Sequence, residues 1–188
     1  MNISAVILAA GKSVRMGQQK MLLPWGSTTV LGKVIQTLQA VGAGDIVVVT
    51  NSKIAPQVTS YGVRVTLNDE GEMLESVQVG LQAQKSSAEA TLICLGDQPQ
   101  VEEENVRKVC ERFLQSKSRL VVPSYQMRRG HPWLIARELW DEILRLRQPE
   151  SMRDFLNAHK GEIHYVECDS PSALQDLDTP SDYLKFKP

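Results

Sequence analysis

Three cationic side chains follow a glycine turn near the start of the 188-residue chain. The turn is at Gly11, and Lys12, Arg15 and Lys20 all lie within the next nine residues. A glycine lets a ligand approach the backbone closely, and exposed backbone N–H groups together with fixed cations bind phosphate groups. The residue types and their spacing therefore predict a polyphosphate site in this loop.

This loop fits neither of the two commonest phosphate-binding patterns. A Walker A loop requires another glycine earlier in the loop, where this chain has the apolar run that precedes Gly11. A dinucleotide-binding fingerprint that starts at Gly11 requires glycines where Ser13 and Met16 stand. The Walker A pattern is therefore excluded, and a nicotinamide cofactor is disfavoured.

Short apolar runs rich in β-branched residues predict the strands that must position this loop. They lie at residues 3–8, 46–50, 63–67, 91–95 and 120–123. Apolar residues at helical spacing lie between several of these runs, over residues 30–41, 73–81 and 106–113. The alternation predicts an α/β fold with a doubly wound, mostly parallel sheet.

Beyond Tyr125 this alternation breaks. The pattern there predicts a helix over about residues 137–147, another near residues 151–157 and a strand at residues 163–166. No linker rich in Pro, Gly or Ser, no repeat and no low-complexity tract divides the sequence. We therefore expect a single domain over residues 1–188.

Composition disfavours several classes of partner and location. The 21 Lys and Arg against 22 Asp and Glu give a formal net charge of −1, without the basic field that drives nucleic-acid binding. The chain starts without a basic region and its first apolar stretch ends at Gly11, so we predict neither a signal peptide nor a membrane span and expect a cytoplasmic protein. Cys94, Cys110 and Cys168 are odd in number and widely spaced, which predicts reduced thiols.

Four motifs, in the same order, resemble the signature of the MobA-like NTP transferase family. They are Leu8-Ala9-Ala10-Gly11-x-Ser13-x-Arg15-Met16-Gly17-x-x-Lys20-x-Leu22-Leu23-Pro24, Gly96-Asp97-Gln98-Pro99, Arg129-Gly130-His131-Pro132 and Asp178-Thr179-Pro180-x-Asp182-Tyr183. Together they span nearly the whole chain. The Leu-Ala-Ala-Gly spelling of the first motif is similar to the molybdenum cofactor cytidylyltransferase branch, whereas the guanylyltransferase branch tends to Leu-Ala-Gly-Gly.

The resemblance implies a Rossmann-like nucleotidyltransferase fold and a reaction. The family transfers a nucleoside monophosphate from an NTP to an acceptor phosphate and releases pyrophosphate. The branch implies CTP as donor, molybdopterin or a similar phosphorylated molecule as acceptor, and Mg²⁺ as cofactor. Residues from about 1 to 100 would bind the NTP, and residues from about 101 to 188 would form the acceptor side. A recipient molybdoenzyme or its chaperone is an implied partner.

The resemblance also assigns residues that bind the nucleotide. They are Leu8, Ala9, Ala10, Gly11, Lys12, Arg15, Lys20, Asn68 and Ser76. The amide of Asn68 could contact a base edge or the ribose, or it could form an Asx turn with Glu70 and Gly71. The position of Asn68 in the family pattern favours the nucleotide.

Arg15, Lys20 and Asp97 are the candidate catalytic residues. Attack of one phosphate on another brings two anions together, so catalysis must neutralise charge and align the reacting groups. Arginine offers a planar fork and lysine a compact charge, although both side chains could also be solvated surface cations. By resemblance, Asp97 and Asp178 bind Mg²⁺. The alternative for each aspartate is a helix cap, near Glu102 for Asp97 and at a short C-terminal helix for Asp178.

Arg129 and His131 are the candidate acceptor-binding residues. They share a basic turn, where His131 could donate to an acceptor phosphate or be structural. Two segments depart from the family pattern, because Glu72 stands at the usual glycine of Gly-Met-x-x-Ser and residues 149–154 lack glycine. Two rival enzymes use the same fold, a guanylyltransferase and a sugar-phosphate nucleotidyltransferase, and the departures also permit a nucleotide-binding protein without catalytic activity.

Overall fold

A mostly parallel sheet forms the centre of the molecule. The computed structural model describes residues 2–116 and 118–188. In chain order its strands are β1 (Ile3–Ala9), β2 (Pro24–Trp25), β3 (Thr28–Thr29), β4 (Ile46–Thr50), β5 (Arg64–Leu67), β6 (Ala90–Leu95), β7 (Leu120–Tyr125), β8 (Arg128–Arg129), β9 (Trp133–Ala136) and β10 (Ile163–Glu167). Eight of these described strands join the sheet in the order β10-β7-β9-β6-β1-β4-β5, with β8 beside β7, while β2 and β3 form a separate hairpin.

Helices cover both faces of this sheet. They are α1 (Val30–Ala40), α2 (Ala55–Thr59), α3 (Met73–Gln82), α4 (Glu103–Ser116), α5 (Trp140–Arg145), α6 (Met152–Ala158) and α7 (Pro180–Phe186). Apolar residues of α1, α2 and α4 pack on one face with Ile7 and Val48, and those of α3, α5 and α6 pack on the other with Val6 and Val49. Successive strand residues point to opposite faces, so β1 contributes to both cores. The predicted α/β fold with a mostly parallel sheet is confirmed.

No helix among the described residues is long and apolar enough to cross a bilayer.

The part of the sheet that is built from β7 onward differs from the predicted pattern. β9 lies between β6 and β7 and runs antiparallel to both, so the run at residues 120–123 does not continue the parallel sheet directly. The sequence does not predict β9, because four buried apolar residues after a Gly-His-Pro turn show no strand period. It does not predict α2 either, whose five residues are too few to show a helical period. The helix predicted at about 137–147 is a 3₁₀ turn, Arg137–Leu139, followed by α5.

Three of the sequence motifs meet at one edge of the sheet. β1 and β6 pair in parallel up to Leu8 and Leu95, so the residues that follow them emerge side by side. After β1 the chain adds β4 on one side of β1 and later adds β6 on the other side. The direction in which strands are added therefore reverses at β1. Open α/β sheets bind ligands in the crevice at such a point. The C-terminal segment is held at the same edge, since the Leu177 N–H donates to the Asp97 carbonyl at 3.0 Å.

Candidate functional site

The loop after β1 surrounds a cavity. The cavity has a volume of about 280 Å³ and is lined by residues 11–16, Lys20 and Asp178. Ser13 and Gly17 have φ angles of 50° and 65°, so the chain turns tightly here. A Cβ atom on Gly11 would meet no other atom within 4 Å, which leaves the backbone open to a ligand. The structure therefore brings the three predicted loop cations to one concave surface.

Four charged side chains meet where Lys20 and Asp178 line this cavity. Lys20 Nζ donates to Asp97 Oδ2 at 2.5 Å and to Asp178 Oδ1 at 3.4 Å. Arg15 Nη2 lies 3.1 Å from Asp178 Oδ2. The Lys20 side chain is 10% exposed and that of Arg15 is 71% exposed. Two cations thus balance two carboxylates. Of the two cations, the exposed Arg15 can turn towards a ligand without breaking a buried ion pair.

Neither aspartate of this cluster caps a helix. Among the described residues the Asp97 carboxylate accepts a hydrogen bond from Lys20 and none from the first N–H groups of α4. The cap of α7 is Thr179, which shares a reciprocal pair of hydrogen bonds with Asp182. The capping alternatives are therefore wrong, and the carboxylates of Asp97 and Asp178 both face Lys20.

The two aspartates fit a hard divalent cation. Both accept a hydrogen bond from the same Lys20 ammonium, so the two carboxylates lie close together. Carboxylate oxygens suit Mg²⁺, which is commonly bound by one or two carboxylates together with substrate phosphates and water. The donor set of Asp97 and Asp178 leaves the remaining coordination positions to a phosphorylated ligand.

Sequence reasoning misses two residues of this region, Gln98 and Asp176. Gln98 Nε2 donates to Asp176 Oδ1 at 2.6 Å and joins the loop after β6 to the C-terminal segment. Burial raises the pKa of the Asp176 carboxyl, and the negative charges of Asp97 and Asp178 raise it further. The signal that could have found Asp176 is the Asp-x-Asp spacing, which places a second acidic residue beside a predicted metal ligand.

Asn68 forms the Asx turn that was one of its two alternatives. Its Oδ1 accepts from the N–H groups of Glu70 at 3.2 Å and Gly71 at 3.3 Å. Its Nδ2 donates to Ser76 Oγ at 2.9 Å, so two predicted nucleotide-binding residues lie together. At Gly71 φ is +79° and a Cβ atom would lie 3.1 Å from the Ala10 carbonyl oxygen, so glycine lets this turn pack on the end of β1. Direct contact between Asn68 and a nucleotide remains a prediction.

The last residues of β1 are buried, and their backbone is tied to both neighbouring strands. Leu8, Ala9 and Ala10 are all at most 9% exposed. The Leu8 carbonyl accepts from Gly96 N–H at 2.9 Å, and the Ala9 carbonyl accepts from Thr50 Oγ1 at 3.4 Å. These contacts fix the floor of the crevice, and contact of this floor with a base remains a prediction.

The two predicted acceptor-binding residues face different neighbours. Arg129 donates from Nε to the Tyr165 hydroxyl at 2.9 Å and from Nη1 to Asn157 Oδ1 at 2.8 Å. The His131 ring stacks on Trp133 with 4.2 Å between centroids. His131 Nε2 is enclosed, and burial lowers the pKa of the imidazole to about 3. His131 is therefore neutral near pH 7, and donation from it to an acceptor phosphate remains a prediction.

The buried imidazole predicts a loss of stability in acid. The pKa of His131 is lowered in the fold from 6.5 to about 3, so between these values the unfolded chain binds a proton that the folded chain does not. The free energy of unfolding should be at its full value above about pH 6.5 and fall below it, by at most about 1.4 kcal/mol per pH unit. Urea unfolding of the wild type and of His131→Phe at about pH 7 and pH 5 measures this. Equal acid losses in both proteins would contradict the enclosed position of the ring.

A larger cleft lies beside the start of α3. It has a volume of about 730 Å³ and is lined by residues 72–75, Gln78, Trp133 and residues 146–153. Both segments that depart from the family pattern contribute to this lining. Arg147 and Arg153 supply positive charge, Glu72, Glu75 and Glu150 supply negative charge, and Trp133 and Met152 contribute apolar atoms. The cleft therefore offers charges of both signs beside an apolar wall.

Comparisons with known proteins agree with this geometry. The family model of the MobA-like NTP transferase domain matches residues 5–163. The molybdenum cofactor cytidylyltransferase of Escherichia coli (strain K12) is 26% identical over 191 residues, which cover 98% of this chain and 95% of that protein. The crystal structure of Rv0371c from Mycobacterium tuberculosis H37Rv is 26% identical, with a TM-score of 0.87 over 98% of this chain and 97% of that one. A complex of Rv0371c with manganese is 26% identical, with a TM-score of 0.81 over 100% and 98% of the two chains.

Proposed function

The chain belongs to the MobA-like NTP transferase family, and from this premise we propose that it transfers CMP from CTP to a phosphorylated acceptor and releases pyrophosphate. The observation that carries the proposal is the cluster of Arg15, Lys20, Asp97 and Asp178 at the loop cavity. Its cations can bind phosphate oxygens and its carboxylates can bind a divalent cation. Nucleotidyl transfer requires both.

Lys20 and Arg15 divide the work of neutralising charge. Attack of an acceptor phosphate on the α-phosphate of CTP brings two anions together, and little covalent chemistry is required of the protein. Lys20 is held between two carboxylates, so its compact ammonium has a fixed position from which to stabilise charge that grows in the transition state. Arg15 is exposed, and its planar fork suits the β- and γ-phosphates that leave as pyrophosphate.

Asp97 and Asp178 would hold a divalent cation, which would supply further positive charge to the phosphates. Because Asp178 also pairs with the exposed Arg15, binding of the nucleotide exchanges partners at this pair: Arg15 gains the phosphates and Asp178 gains the cation. Lys20 keeps its buried pair with Asp97, so no charge is left buried and unpaired. The complex of the related Rv0371c with manganese supports a divalent cation as cofactor.

We assign the acceptor to the cleft beside α3 and propose molybdopterin as that acceptor. The cleft offers arginines for a phosphate and Trp133 for a ring system. The similarity to the cytidylyltransferase of Escherichia coli supports both CTP and this acceptor. The candidate acceptor-binding residues remain Arg129 and His131. Arg129 would contribute a positive charge, and His131 would contribute a neutral imidazole. A molybdoenzyme or its chaperone is the proposed recipient of the product.

Product analysis tests this function. The purified protein receives Mg²⁺, either CTP or GTP, and a panel of phosphorylated metabolites that includes molybdopterin, and mass spectrometry detects adducts that carry CMP or GMP. We expect a CMP adduct of molybdopterin. A GMP adduct would instead indicate a guanylyltransferase, and a CMP adduct of a sugar phosphate would change the acceptor. No adduct with any pair would indicate a nucleotide-binding protein without catalytic activity.

Ala10→Gly should change the choice between CTP and GTP more than it changes stability. Ala10 is buried directly after β1. If its methyl group borders the base, removing this group would make room for a larger base. The ratio of kcat/KM for CTP to that for GTP should fall by about tenfold, which corresponds to about 1.4 kcal/mol. A ratio that stays within about twofold would show that the base is not recognised at this residue.

A further inference from the structure

A small enclosed cavity lies behind the Gly96-Asp97-Gln98-Pro99 loop. It has a volume of about 10 Å³, and its walls are mainly apolar side chains from α1, from the start of α4 and from the end of β6. Three polar side chains also reach it, those of Thr37, Gln98 and His131. They come from α1, from the loop after β6 and from the turn before β9, so the cavity joins three separate parts of the chain.

Each of these side chains has a buried polar atom without a hydrogen-bond partner among the described residues. The atoms are Thr37 Oγ1, Gln98 Oε1 and His131 Nε2. Thr37 and Gln98 are each only 2% exposed. Buried polar atoms in proteins are paired with protein or with ordered water, and leaving one unpaired costs the full loss of its hydration. Three side chains that line one cavity therefore each carry an atom that requires a hydrogen-bond partner.

The orientation of the Gln98 amide is set by its other contacts. Gln98 Nε2 donates to Asp176 Oδ1 at 2.6 Å and lies 3.4 Å from the Ala173 carbonyl oxygen. Both partners accept hydrogen bonds, so the NH₂ group must face them and the oxygen must be the unpartnered atom. The partner of Gln98 Oε1 must accordingly be a hydrogen-bond donor.

We propose that one ordered water molecule occupies this cavity and bridges Thr37 Oγ1, Gln98 Oε1 and His131 Nε2. A water needs about 10–15 Å³ of this kind of space and two to four polar partners. The cavity has about 10 Å³ and is lined by three side chains that each carry an unpartnered polar atom. The water can donate one hydrogen to Gln98. The threonine hydroxyl and the neutral imidazole can each donate to it or accept from it, so all three atoms can be satisfied together.

The bridge makes His131 a positioning residue for the loop that carries Asp97. His131 holds Gln98 through the water, Gln98 holds Asp176, and the Leu177 N–H donates to the Asp97 carbonyl. The Arg-Gly-His-Pro motif thereby supports the Gly-Asp-Gln-Pro motif, which precedes it in the chain. The water itself does not depend on the proposed function, whereas its effect on a metal ion rests on the metal role proposed for Asp97.

A high-resolution crystal structure of the wild type tests the water directly. We expect one density peak within about 3.2 Å of all three atoms. The peak should be lost in His131→Phe, which keeps a ring to stack on Trp133 but removes Nε2. Thr37→Val, a substitution of similar volume, should weaken the peak or abolish it. A wild-type cavity without density would overturn the proposal.

Binding of Mn²⁺, followed by electron paramagnetic resonance without nucleotide or acceptor, tests the positioning role. His131→Phe and Thr37→Val should each weaken Mn²⁺ binding by about tenfold, the lower limit for groups that orient metal ligands. Thr91→Val is the matched control. Thr91 Oγ1 is also buried without a partner but does not line this cavity, so the Mn²⁺ affinity should not change.

The two measurements separate the possible failures. If His131→Phe loses the density peak but keeps the wild-type affinity for Mn²⁺, the positioning role of His131 is overturned. A wild type that binds no Mn²⁺ would overturn the metal part of the proposed function, and the density peak would still decide the water. If His131→Phe does not fold, Thr37→Val and Thr91→Val give the same comparison.

Discussion

Replacing Lys20 by alanine should lower the kcat of CMP transfer by about 10²–10³-fold, with a far smaller change in the KM for CTP. The reason is the placement of Lys20: its side chain is 10% exposed, and its ammonium is held by Asp97 at 2.5 Å and Asp178 at 3.4 Å. A charge in such a fixed position stabilises charge that develops in the transition state more than charge already present in the substrate. Steady-state kinetics with CTP as the varied substrate measure both constants, and thermal unfolding confirms that the variant is folded.

Two further variants of the loop make this result specific. Lys20→Arg should restore little activity, because the wider planar guanidinium cannot occupy the place of a compact ammonium between two carboxylates. Lys12→Ala removes an exposed cation that lines the same cavity, and it should raise the KM for CTP more than it lowers kcat. A Lys20→Ala enzyme with full kcat and a raised KM would show that Lys20 anchors the nucleotide without catalysing the reaction.

Replacing Asp97 by asparagine should abolish turnover in the presence of Mg²⁺ while binding of CTP without metal is largely kept. The substitution preserves the size of the side chain and removes the negative charge that would hold the cation and that pairs with Lys20. Kinetics with Mg²⁺ or Mn²⁺ and equilibrium binding of CTP in the presence of a chelator separate the two effects. Activity at the wild-type level would remove Asp97 from the mechanism.

Asp45→Asn is the matched control for this substitution. The Asp45 side chain is 9% exposed and forms ion pairs with Arg64 and Lys85, and it precedes β4 at the opposite edge of the sheet. Its replacement removes a similar buried carboxylate far from the loop cavity. We expect Asp45→Asn to lower stability and to leave kcat and KM unchanged.

The sequence predicts the parallel half of the fold well for a physical reason. Strands that are buried on both faces need continuous apolar runs, and β1, β4 and β6 all follow runs of this kind. β9 is different, because its four apolar residues show no pattern typical of a strand. They form a strand only through their pairing with β6 and β7. A single sequence contains no information on such a pairing.

The site could be predicted in parts but not as an assembly. The glycine turn and its cations predict a phosphate loop, and the position of Asp97 after a strand places it at the same edge. That Lys20 would contact both Asp97 and Asp178, 77 and 158 residues further along the chain, depends on how the C-terminal segment docks. His131 shows a different limit, since its basic turn allows either a donor to a phosphate or a structural residue, and only the fold encloses Nε2.

Transfer of isotopic label tests the central claim most directly. The purified protein, with Mg²⁺ and molybdopterin, is given CTP labelled with ³²P at either the α- or the γ-phosphate. Attack at the α-phosphate predicts that α-label appears in the acceptor, that γ-label appears in pyrophosphate, and that Lys20→Ala suppresses both together. Transfer of γ-label to the acceptor, or release of γ-label as inorganic phosphate while the acceptor stays unlabelled, would contradict a nucleotidyl transfer.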